Sequence, residues 1–211
     1  MPSPVGHSLV GLGGFILMRH HVTQRQQLPL LLGSVVLANL PDMDILPGLV
    51  LGDPRSFHHQ GMHSLLAVAL CGLAIALVAG RRKLNKLRWG IWAAGLYGSH
   101  IFMDLLVNDP KPPFGAQVLW PFSQNYFISP VTPLASFEYF HTTKGMLYSL
   151  LSPHNLTTVL REILLLAPLI ALVLWLAKAY ERRANLKAAS DHRRDSALDI
   201  TGPEVLCKHR K

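Results

Sequence analysis

HSLLAVALCGLAIALVAG RRKLNKLR WGIWAAGLYGSHIFMDLLV, residues 63–107, sets two apolar runs around a basic turn. His63 to Gly80 and Trp89 to Val107 each match the roughly twenty residues that carry a helix across a bilayer core. Arg81, Arg82, Lys83, Lys86 and Arg88 lie between them, and short loops rich in Arg and Lys mark the cytoplasmic side. The stretch therefore predicts a pair of membrane helices with the basic turn inside and both outer ends, at His63 and Val107, outside.

The flanks extend this pattern. Val5 to Met18 and Leu28 to Leu40 are apolar but short, and Arg19 and Arg25 separate them. Placing those cations mid-bilayer would be costly, which favours a crossing on each side of them. From Asn108 to His154 the prolines Pro110, Pro112, Pro113, Pro121, Pro130, Pro133 and Pro153 exclude long helix. Aromatics gather in the same segment, Trp120 and Phe122 among them, as suits either the membrane interface or a substrate groove. Ile163 to Ala179 is the last apolar run, with Pro168 inside it, and Arg182, Arg183, Lys187, Arg193 and Arg194 follow. After about Ala188 the chain mixes charge and small polar groups without periodicity.

The expected fold is an all-α, polytopic integral membrane protein. About five membrane helices, the first two short, surround a long irregular outer loop over about 108–154. Residues 1–180 form one helical membrane domain and 181–211 a basic, disordered cytoplasmic tail, with the N-terminus outside. Charge tests this topology: Asp42, Asp44, Asp53, Asp104, Asp109, Glu138 and Glu162 all fall at the outer side, where Arg55, Lys111, Lys144 and Arg161 are the basic residues.

Composition agrees. Half of the 211 residues are hydrophobic, 15% are charged and the mean hydropathy is +0.28, too apolar for an ordinary soluble domain. The formal charge of +8 sits in short runs beside apolar segments, so topology explains it and no nucleic-acid partner is expected. Cys71 lies in an apolar run and Cys207 in the polar tail, which argues against a structural disulfide. The first apolar stretch lacks a basic leader and carries His7, unlike a cleavable signal peptide.

Ionisable residues concentrate at the predicted outer side. His7 opens the first helix, Asp42 and Asp44 follow the second in Leu-Pro-Asp-Met-Asp, and His58, His59 and His63 precede the third. His100 and Asp104 stand at i and i+4, on one face of the fourth helix near its outer end. A Pro-Asp turn alone is often only a helix terminator. An embedded His-x-x-x-Asp pair is different, because ionisable groups inside an apolar helix are expensive and functional by default. Imidazoles and carboxylates without thiolates suit zinc first, then manganese or iron, and this many donors fit one to three ions. Paired ions, bridged by an aspartate, could activate a water against an ester.

These motifs, in this order, resemble the bacterial inner-membrane proteins called membrane-bound metal-dependent hydrolases, one member of which is regulated by the LexA repressor. The match runs through Gly6-His7-Ser8, Leu40 to Asp44, His58 to Ser64, Ser99 to Asp104 and Trp120-Pro121-Phe122, covering about the first 125 residues. His59 stands where that family usually has Arg, and Met62 where it usually has Thr. The ligand order is also similar, more faintly, to zinc phospholipase C and P1 nuclease. The resemblances imply an inner-membrane hydrolase of a phosphoester or lipid ester. His7, Asp42, Asp44, His58, His63, His100 and Asp104 would be its metal ligands, His59 an additional one, and Trp120 and Phe122 substrate contacts.

The expected function is thus metal-dependent hydrolysis through a metal-activated water, with membrane lipids as surroundings and as the source of substrate. No separate general base is assigned. Two other classes use the same residues: an ion or proton transporter with a His/Asp relay, and a non-catalytic scaffold held together by metal. A relay would spread polar groups through the membrane, whereas an outer site would gather them at one level.

Overall fold

The computed structural model describes residues 1–51, 57–108, 114–138 and 151–200. Asp53, Arg55, Asp109, Lys111, Tyr139, Phe140, His141, Lys144 and Tyr148, assigned to outer loops from the sequence, lie outside the described residues, as does 201–211. The chain divides into two units, Met1–Ile170 and Ala171–Lys211.

The first unit is built from helices with identifiable starts. Ser3 caps α1 (Pro4–Met18), accepting from the Gly6 N–H at 3.1 Å, and Pro4 supplies a preset φ in the first turn. Thr23 and Gln26 form a capping box that opens α2 (Gln24–Asn39). Leu40–Asp44 then tightens into a 3-10 turn around Pro41 and leads into the short α3 (Ile45–Val50). A second 3-10 turn, Gly61–His63, precedes α4 (Leu65–Arg81), capped by Ser64. Asn85 caps α5 (Lys86–Leu105). The strand pair β1 (Val107–Asn108) and β2 (Leu134–Ala135) runs parallel, Val107 opposite Leu134. The last helix, α6 (Pro153–Ile200), begins in this unit.

α4 packs on α5, α1 on α2, and both α1 and α2 on α5. Small residues make the close approaches. A Cβ at Gly72 would stand 2.9 Å from Ala94 Cβ, and one at Gly90 would stand 3.0 Å from Ala76 Cβ, so α4 and α5 meet backbone to backbone. Met103, Val107 and Leu134 form a buried apolar knot, with Val10, Leu106 and Leu166 packed against it.

The helix faces are reversed relative to a water-soluble bundle. α2 buries Leu30, Ser34 and Ala38 but exposes Leu28, Leu32 and Val36, a stripe at i, i+4 and i+8. Leu70, Leu73 and Leu77 of α4 are likewise exposed. Continuous outward leucine stripes match lipid and not water.

Among the described residues two helical stretches are long and apolar enough to cross a membrane, Gln24–Gly48 and Pro153–Tyr180. The other expected crossings fall short on length or composition. α1 has 15 residues and rises only about 22 Å. α4 is apolar but has 17, and α5 spends part of its 20 residues on Lys86, Arg88, His100 and Asp104. The described part of 108–154 is largely irregular, with Ala116 and Phe127 bridging in antiparallel fashion.

In the second unit, α6 continues through the basic segment to Ile200. The sequence reading expects an irregular tail from about Ala188. Strong helix formers, Lys187, Ala188, Ala189, Arg193 and Arg194, carry the helix on despite the missing apolar period.

Candidate metal centre

Four chain elements converge. α1 supplies His7 from its second turn, the Leu40–Asp44 turn supplies Asp42 and Asp44, and the segment before α4 supplies His58, His59 and His63. α5 supplies His100 and Asp104 from its last turns. The α2 helix ends at this level because Pro41, lacking an N–H, cannot extend its hydrogen-bond ladder. His7, His63, His100 and Asp104 are all buried.

The contacts fix which nitrogen of each ring can act. His100 Nδ1 lies 2.7 Å from the Ala38 carbonyl, which can only accept, so Nδ1 carries a proton. Nε2 of the same ring faces Asp42 Oδ1 and Asp104 Oδ2, each at 3.2 Å. His63 repeats the pattern: Nδ1 meets Asp44 Oδ2 at 2.9 Å, while Nε2 lies 3.2 Å from Asp104 Oδ2 and 3.7 Å from Asp42 Oδ1. Burial opposes a charge on His63, yet its bonds to Asp104, Asp42 and Asp44 outweigh that and raise its pKa well above the usual imidazole value. Two imidazole nitrogens and two carboxylate oxygens therefore point at one small space that calls for positive charge.

The spacing decides what kind of charge fits. Donor arms of about 2.0 Å around a tetrahedral ion put neighbouring ligand atoms about 3.3 Å apart. Three separations of 3.2 Å match that figure, and the His63–Asp42 separation of 3.7 Å is wider. His63, His100 and Asp104 can hold a metal ion; so can His7 with Asp42 and His100, and His58 with His59 and His63, each set bringing its ligand atoms within 4.8 Å of one another.

The remaining residues surround this core. His7 stacks on His100, ring centroids 3.7 Å apart, and its Nε2 is 3.9 Å from Asp104 Oδ1. Asp44 spends both oxygens on imidazoles, Oδ1 on His58 at 2.8 Å and Oδ2 on His63. The other His58 nitrogen meets the Met1 thioether at 3.2 Å. His59 has a left-handed backbone, φ 64°, and its Nδ1 donates to the Gly115 carbonyl at 2.9 Å. Burial, with repulsion from His58, lowers its pKa to about 3, so its buried Nε2 is a bare lone pair.

The segment 114–128 is fastened over the histidine loop. Gln117 N–H donates to the His59 carbonyl and Leu65 N–H to the Val118 carbonyl, both at 2.9 Å. Gly115 has φ 82°, and a Cβ there would fall 1.8 Å from the Phe127 carbonyl oxygen, so only glycine fits. Trp120 packs against Gly61, whose Cβ would meet the indole at 3.4 Å. Phe122 is exposed.

One buried acid has no counterpart in the sequence motifs. Glu162 of α6 accepts from the Ser3 backbone N–H at 2.7 Å and from the Ser3 hydroxyl. A Cβ on Gly6 would come within 2.7 Å of its carboxylate. The available signal is an acid, paired in sequence with Arg161, immediately before the apolar run Ile163 to Ala179. His20 and His21 are exposed at the other ends of α1 and α2, where His21 Nδ1 meets an Arg88 guanidinium nitrogen at 3.1 Å.

No curated protein and no solved structure matches this chain. The model of one family, described as YdjM inner membrane protein, matches residues 1–186 and so takes in every residue of the cluster. The chain belongs to the YdjM inner membrane protein family, bacterial proteins of the inner membrane with a LexA-regulated member.

Proposed function

We propose that this protein is a membrane hydrolase that uses a divalent metal, with zinc the best-matched ion, to cleave a phosphoester or lipid ester at the outer face of the membrane. The observation that carries the reading is the set His63 Nε2, His100 Nε2 and Asp104 Oδ2, close enough together to hold one ion, with Asp42 Oδ1 beside it at 3.2 Å from His100 Nε2. A zinc-class ion bound there would acidify a water and polarise an ester oxygen.

The chain's own residues take distinct parts. The Ala38 carbonyl and the Asp44 carboxylate hold the outer nitrogens of His100 and His63, which fixes both tautomers and aims both rings. Asp44 is thereby assigned an orienting role in place of the ligand role expected from the sequence. Asp42 and His58 retain 15% and 13% side-chain exposure while His63, His100 and Asp104 retain none, so substrate enters on the Asp42–His58 side. Trp120 offers an apolar wall near that entrance, beside Gly61.

In this reading the chain crosses the membrane five times with its N-terminus outside and its C-terminus in the cytoplasm. The gathering of His7, Asp44, His63, His100 and Asp104 at one end of the bundle supports a site at one face over a relay through the membrane.

Metal analysis of detergent-purified protein tests the centre. Wild type is expected to carry stoichiometric transition metal, and His100→Ala and Asp104→Ala to carry none; metal-free wild type refutes the proposal. Release of phosphate or diglyceride from a lipid panel, abolished in Asp42→Asn, separates enzyme from scaffold. A reporter fused after Lys86 is expected inside, and its appearance outside would reverse the topology.

A further inference from the structure

One ion at His63, His100, Asp42 and Asp104 Oδ2 leaves His7 and the other Asp104 oxygen without a task. Both ring nitrogens of His7 lack a hydrogen-bond partner, and so does Asp104 Oδ1. His7 is 1% exposed and Asp104 2%, so water does not satisfy them.

Their arrangement is that of a carboxylate shared between two cations. Asp104 Oδ2 faces His63 and His100 at 3.2 Å each, whereas Oδ1 faces His7 Nε2 at 3.9 Å. A separation of 3.9 Å exceeds the roughly 3.3 Å between two arms of one tetrahedral ion, so His7 and Asp104 Oδ1 would close by a few tenths of an ångström around an ion held between them. The His7 and His100 rings lie 3.7 Å apart with their planes within 14°. Parallel rings so spaced set two binding positions side by side, near the roughly 3.5–4 Å at which paired catalytic ions stand. Asp42 reaches the same place, since it, His7 and His100 can present ligand atoms within 4.8 Å of one another.

We infer that His7 marks a second divalent-ion position, joined to the first through the two oxygens of Asp104 and flanked by Asp42. The inference rests on the metal reading of the cluster and sharpens it. The first position is filled from the protein, two imidazoles and two carboxylates. The second has one imidazole and carboxylate oxygens, which leaves coordination open for water and a substrate oxygen. With fewer nitrogens and more oxygens it suits a harder ion, so it exchanges more readily and accepts manganese.

The test uses full-length protein in detergent, loaded with zinc and freed of excess. Two equivalents are expected in wild type and one in His7→Ala. Wild type with one equivalent, or His7→Ala with two, overturns the second position and leaves the first standing; wild type with none overturns both. Manganese-loaded wild type supplies a readout that survives any misfolding of the variant. Its electron paramagnetic resonance spectrum is expected to show an exchange-coupled pair, and an isolated six-line signal overturns the shared carboxylate.

Discussion

At one end of the bundle histidines are buried among carboxylates, and at the other they lie exposed among arginines. His7, His63 and His100 belong to the first end; His20 and His21, beside Arg19 and Arg88, belong to the second. The residue type is the same, but only the first end withholds water from the lone pairs. There each ring has one nitrogen engaged or stacked and another aimed at an acid, whereas the exposed rings meet arginine side chains, His20 that of Arg19 and His21 that of Arg88. Burial turns a common side chain into a donor with one permitted direction.

Substitutions at the two ends should separate accordingly, and the largest effect is expected at His100. His100→Ala removes a ligand and leaves Asp104 buried beside a vacancy, a situation that costs about 3–5 kcal/mol. Thermal unfolding in detergent should show that loss, while His21→Ala should stay within about 0.5 kcal/mol of wild type. Equal losses at the two positions would erase the contrast.

Asp44→Asn should come next. It keeps the turn and the volume but weakens the grip on His58 and His63, and outer-shell partners of this kind are worth about 10–100-fold in metal affinity. Competition with a chelator measures it, and a complete loss of metal would instead return Asp44 to the ligand set.

Glu162→Gln probes the N-terminal tie of α1. The amide can still accept from Ser3 but no longer as an anion, so a loss of about 1–2 kcal/mol in unfolding is expected with metal content unchanged. Loss of metal in this variant would place Glu162 inside the site's working parts.

The smallest change should come from Arg82→Ala in the exposed turn between α4 and α5, below about 0.5 kcal/mol and without effect on metal. A clear destabilisation there would mean that the basic end is packed and not merely solvated.

The parts of this architecture with a local signature were legible in the sequence. The basic turn between apolar runs, the i, i+4 pair His100 and Asp104, and the Leu40–Asp44 turn each announce themselves within a few residues, and all appear in the fold. Residues whose role depends on distant partners were not. Glu162 gains its meaning from Ser3, far away in the chain, and Gly115 from the Phe127 carbonyl. The second ring of contacts is equally silent, because no spacing rule tells that Asp44 will spend its oxygens on two imidazoles while Asp42 turns toward His100.

Pro41 has no titratable group, yet it bears on the acid–base state of the site. By stopping α2 it leaves Ala38 among the last carbonyls of a helix, which have no intrahelical donor to satisfy them. That oxygen is the one His100 Nδ1 meets. The proton inventory of the imidazole is thus written by the place where another helix runs out of hydrogen bonds. A change that let α2 continue would alter which nitrogen is basic without touching a single ligand.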